Sequence, residues 1–83
     1  MCRNITILRG LQPPATEEEI EAAARQYVRK VSGATRPPSG AEETFEHAVA
    51  VVAQATTELL HALPPRRNPP PKDPPLRLHP TRA

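Results

Sequence analysis

Cys2 and Arg3 stand together at the start of the chain, and their types suggest nucleophilic chemistry. A small residue in second place usually permits removal of the initiator methionine, which would leave a thiol beside a free amine. The amine can then serve as local base, and Arg3 would lower the thiol pKa. An enzyme also needs an oxyanion site and a concave pocket, which two helices rarely make. Cys2 is therefore a candidate catalytic or metal-binding thiol, with a tolerated or partly buried thiol as the plainer alternative. The histidines do not help it. Counted from Phe45 at 100° per residue, His47 and His61 fall on the far side of a helix, about 21 Å apart along its axis. His79 lies in a proline-rich tail, so no metal site and no cofactor are expected.

Arg25, Arg29, Lys30 and Arg36 form the other chemical grouping, a basic patch that could hold phosphates or an acidic partner. Glu21 can pair with Arg25 at i,i+4, which reduces the charge on offer. The carboxylates Glu17, Glu18, Glu19, Glu42, Glu43 and Glu46 fall mostly in first helical turns, where they complement the helix dipole and need no catalytic role.

Two helices must carry these residues. The spacing predicts the first from Thr16 to Ser32, with Ile20, Ala23, Ala24, Tyr27, Val28 and Val31 recurring at steps of three and one. Thr16 and Glu19 make a capping box at its start, Arg29 and Lys30 fill its last turn, and Gly33 can close it in the left-handed conformation. A second helix is expected from Gly40 to Leu63, with Ser39 as N-cap and Glu42 three positions on, ended by Pro64-Pro65. Phe45, Val49, Val52, Thr56, Leu59 and Leu63 advance by fours and threes, a seam suited to packing along another helix. Val51, Ala55 and Ala62 widen that seam beyond what the shorter first helix can cover.

The opening segment is the local candidate for the missing cover. Ile5-Thr6-Ile7 looks strand-like, yet no second such run exists to pair with it. Ile5, Leu8 and Leu11 recur every three residues, which suits one helical turn or an irregular arm laid on the hairpin. A strand paired across a dimer is the alternative.

The chain has 83 residues, with Tyr27 and Phe45 as its only aromatics and one cysteine. A single domain of this size hides only about 60% of its unfolded surface, so an oligomeric partner would help it. An internal disulfide is excluded. No leader or membrane span is expected, so the cytoplasm is the expected compartment and the glycosylation pattern at Asn4-Ile5-Thr6 is set aside. Six cations face eight carboxylates through Leu63, and five face one beyond it, so the basic character belongs to the tail. Eight of the last twenty residues are proline. That composition predicts a disordered segment with polyproline II character, able to dock in an aromatic-lined groove. The expected organisation is an N-terminal arm over 1–15, a two-helix antiparallel hairpin over 16–63 and a disordered tail over 64–83, in an all-α class.

The opening MCRNI, the PPAT leading into the first helix and the YVRKVSG closing it resemble a bacterial family of short proteins, a domain of unknown function (DUF2277-like). The resemblance covers most of residues 1–63 and stops at the proline-rich tail. It implies that Met1–Ile5 and Tyr27–Gly33 are purposeful, and it carries no activity or ligand. The connection Ala34-Thr35-Arg36-Pro37-Pro38 is more proline-rich than the family pattern suggests.

The reading that follows is a small, non-enzymatic cytoplasmic interaction module that binds a protein partner or pairs into a four-helix homodimer. Its core or interface would comprise Ile20, Tyr27, Val31, Phe45, Val49, Val52, Thr56, Leu59 and Leu63. The alternatives are a nucleic-acid accessory protein using Arg25, Arg29, Lys30 and Arg36, and an enzyme or metal site at Cys2. Neither a membrane nor a small-molecule substrate is expected.

Overall fold

The computed structural model describes residues 4–78, which form three helices: α1 (Glu17–Ser32), α2 (Glu42–Ala62) and a single-turn α3 (Pro75–Leu78). The two long helices pack against each other as an antiparallel hairpin, and no strand occurs among the described residues.

Both ends of α1 are set by local chemistry. Thr16 Oγ1 accepts from the Glu19 amide at 3.1 Å and Glu19 Oε1 accepts from the Thr16 amide at 2.9 Å, which completes the capping box. At the other end Gly33 takes φ of 70° and donates its N–H to the Arg29 carbonyl, a conformation that glycine adopts without a Cβ penalty.

The start of α2 differs from expectation. Ser39 is not its N-cap; that position belongs to Ala41, which makes no side-chain cap bond. The reason is a turn over Pro38–Ala41, in which the Ala41 N–H donates to the Pro38 carbonyl at 2.9 Å and Gly40 sits at φ of 85°. Positive φ at the third turn position suits glycine, so Ser39 and Gly40 are consumed by the turn and the helix begins later. Glu42 instead reaches back to accept from the Gly40 N–H at 3.1 Å. At the far end Leu63 is extended ahead of Pro64, as the residue before proline prefers.

The core has two parts. Ala24 and Val28 of α1 meet Phe45 and Val49 of α2, flanked by Ala34, Ala48 and Val52. Leu8 and Leu11 of the arm meet Ile20, with Ala15, Ala23 and Leu60 around them, and Ala53 packs against both clusters. Contact follows the i, i+4 row Ile20, Ala24, Val28, so Tyr27 and Val31, one step to the side, are 48% and 66% exposed. Leu59 and Leu63 are exposed as well. These four therefore lie outside the core of the single chain, whereas Ile20, Phe45 and Val49 are buried and Val52 is half-buried. Thr56 and Thr57 also sit half-buried in α2, because their hydroxyls bond back to the Val52 and Ala53 carbonyls.

The arm docks through two residues, not three. The Leu11 N–H donates to the Leu8 carbonyl at 3.3 Å, and that turn drives both side chains inward, while Ile5 lies in irregular chain before it and is exposed. The segment after α2 departs further from expectation: residues 64–78 fold back over the arm. Arg9 Nε donates to the Pro64 carbonyl at 2.8 Å, Arg66 lies so close to Gly10 that an added Cβ would meet its side chain at 2.9 Å, and Pro74 is buried. Composition undervalues such a segment, since prolines leave less freedom to lose on ordering and a few anchors then suffice.

Leu11→Ala is expected to destabilise the protein by about 2–4 kcal/mol in urea unfolding, against a change within about 0.5 kcal/mol for the exposed Ile7→Ala. Equal effects at the two positions would show that the arm is not docked this way.

Candidate functional site

The predicted basic patch does not act as one unit. Arg25 projects from the middle of α1 toward α2, and its guanidinium grips Glu46 through two bonds of 2.8 Å while Glu21 accepts a third at 3.2 Å. This fork raises the Arg25 pKa above its ordinary value, mainly through the Glu46 hydrogen bonds, and lowers that of Glu46 for the same reason. An arginine saturated by two carboxylates is poorly placed to hold a phosphate. Arg29, Lys30 and Arg36 remain exposed, at the end of α1 and in the loop after it. Cys2 and Arg3, like His79, lie outside the described residues. His47 and His61 are exposed on α2, and no group of three potential metal ligands occurs among the described residues.

A second cation grips a far more enclosed carboxylate. Arg77, in α3, donates from Nε to Glu19 Oε2 at 2.6 Å and from Nη2 to Glu19 Oε1 at 3.1 Å, and Nη2 also bonds the carbonyls of Pro13 and Pro14 at 2.7 and 3.1 Å. The Glu19 side chain is only 4% exposed. Its carboxyl is held below the usual value of 4.5 chiefly by the Arg77 hydrogen bond, which outweighs the opposing effect of burial. One carboxylate thus closes the capping box of α1 and holds the returning tail. Sequence reasoning missed this clasp. Its only trace there was Leu76 and Leu78 flanking Arg77, a short apolar pattern inside an otherwise polar, proline-rich run.

The remaining candidate is a surface. Ala48, Val51, Ala55, Leu59 and Ala62 recur along α2 at steps of three and four, so they line one side of it. Val51 and Leu59 are 51% and 55% exposed, and Ala55 and Ala62 are exposed too. Between this strip and α1 runs a shallow apolar groove of about 270 Å³, bordered by Ile5, Tyr27, Val52, Thr56 and Leu60. Thr6 Oγ1 is buried beside it with no hydrogen-bond partner among the described residues. The arm covers Leu60 and stops short of the strip, so the widened apolar side foreseen for α2 is left bare. No helix among the described residues is long and apolar enough to cross a membrane.

Comparison with known proteins adds one match. A family model described as an uncharacterized conserved protein (DUF2277) covers residues 1–79. No curated protein and no solved structure matches the chain. The matched region runs past Leu63 and through Arg77, so it takes in the proline-rich segment at which the resemblance read from sequence stopped.

Arg77→Ala is expected to release residues 64–76 and to speed trypsin cleavage after Arg67 on the order of tenfold. The clasp needs ionised Glu19, whose folded pKa is depressed. Its stabilisation is therefore complete above the ordinary value of 4.5 and is lost as pH falls through the lowered one. The Arg77 Nε–H resonance, protected from exchange at neutral pH, should lose protection over that acid range. In Glu19→Gln its weaker protection should not change with pH.

Proposed function

The chain belongs to the family of uncharacterised conserved proteins DUF2277, and we propose that it works as a small non-enzymatic interaction module that pairs with a second copy of itself. The observation that carries this reading is the bare strip on α2, where Val51, Ala55 and Leu59 face solvent with no charged side chain among them. A two-fold arrangement would lay one strip antiparallel against the other and give a four-helix dimer. The alanines at positions 48, 55 and 62 recur every seven residues, the repeat that keeps a seam facing its partner, and their small size lets two helix axes approach closely. Tyr27 and Val31 border the same side and would extend the buried area.

The reading places the module in the bacterial cytoplasm, supported by the resemblance of its opening residues to a bacterial family and by a composition that offers no internal disulfide. Contact with nucleic acid is the weaker reading, because Arg25 is already engaged by Glu46 and Glu21.

Sedimentation at tens of micromolar should show a dimer. Val51→Lys with Leu59→Lys should convert it to a monomer of unchanged helix content, since both side chains already contact water in the single chain. A wild-type chain that sediments as a monomer throughout that range would overturn the reading.

A further inference from the structure

The flank of the hairpin across the α1–α2 seam from that strip holds an open trough of about 520 Å³. Ile20, Val49, Ala50 and Ala53 form its floor, and Thr57, whose hydroxyl is tied back to the Ala53 carbonyl, continues it. Glu46, Ala50, Ala53 and Thr57 advance along α2 by four, three and four, which makes a straight row about 16 Å long. Four carboxylates edge the trough: Glu17 and Glu21 on α1, Glu46 and Glu58 on α2. Arg25 of α1 engages Glu21 and Glu46 at one end. At the other end Glu17 and Glu58 pair with no cation among the described residues.

We propose that this trough receives an amphipathic helix from another protein, with leucine or alanine facing the floor and lysine or arginine on both flanks, to complete a three-helix bundle. The occupant is a helix because both walls are helices. Their backbone groups are already bonded, so the trough offers no free main-chain edge to an extended segment, whereas a helix satisfies its own backbone. Alanine on the floor permits the close axial approach that ridge-into-groove packing requires. Its flanks are basic because the carboxylates stand on both walls, so cations on either side of an incoming helix each find a partner. Among the described residues a second copy supplies no such helix. The cations of α1 lie on a helix whose apolar side already faces α2, and the cations at Arg66, Arg67 and Lys72 sit among prolines that break helices.

The full chain is titrated with a synthetic peptide of about four turns, carrying leucine and alanine on one face and lysine on both flanks, and with a twin bearing glutamate in place of lysine. The lysine peptide should bind, gain helicity in circular dichroism and weaken as salt rises, and the glutamate twin should not bind. Glu17→Lys with Glu58→Lys should weaken binding by about tenfold or more, while the same charge change at exposed sites outside the trough, Glu18→Lys with Glu43→Lys, should leave it within about twofold. Ala50→Trp, at an exposed position, should fill the trough and abolish binding with the fold intact. Equal binding of the two peptides, equal loss from the two charge-reversed pairs, or unchanged binding to Ala50→Trp would overturn the proposal. So would an Ala50→Trp chain that turns monomeric where Leu59→Lys stays dimeric, because the trough would then be filled by a second copy.

Discussion

Two helices meet along a single line of contact, and everything else in this protein answers to that constraint. The line is the row Ile20, Ala24, Val28 set against Phe45 and Val49, and it hides only what lies directly between the two axes. A third or fourth helix would normally enclose the flanks. Here irregular chain does part of that work: Leu8 and Leu11 close the end of the seam where α1 begins, and the segment after α2 lies over the arm that carries them. The two flanks left open are unlike each other. One is uncharged and bordered by Val51, Ala55 and Leu59, and the other is walled by glutamates.

Glu19 links the helical and irregular parts. Its Oε1 satisfies the Thr16 amide at the start of α1, and both of its oxygens accept from Arg77. Arg77 in turn gathers the carbonyls of Pro13 and Pro14, two groups with no helical ladder to bond into. A buried carboxylate without a cation would be a liability, and an arginine that bonds three residues at once holds its segment without a large apolar footprint. The coupling runs both ways: the cap orders the carboxylate, and the carboxylate fixes the tail.

Much of the hairpin was legible in the sequence because its signals are local. The capping box, Gly33 and the Glu21–Arg25 pair are each set by residues three or four apart. Ser39 misled because a turn and a helix cap compete for the same residues, and the positive φ of Gly40 decided for the turn. Tyr27, Val31 and Leu59 could not be divided between core and outer surface from sequence, because periodicity reports an apolar side of a helix and the partner helix decides which part of that side it covers. The fold-back of residues 64–78 was hardest to read. It depends on partners 55 to 64 residues away, and composition carries no trace of such a pairing. Of the candidate site, the i,i+4 pair was readable, but the grip of Arg25 on Glu46 depends on how α1 is set beside α2.

The separation of 58 residues between Arg77 and Glu19 bears on how the protein is made. Translation delivers the hairpin first, and α1 and α2 can pair through nearby contacts as soon as they emerge. The arginine that fastens the far end is added 58 residues after the carboxylate it grips. Until that arginine emerges, the start of α1 carries a carboxylate without this guanidinium against it.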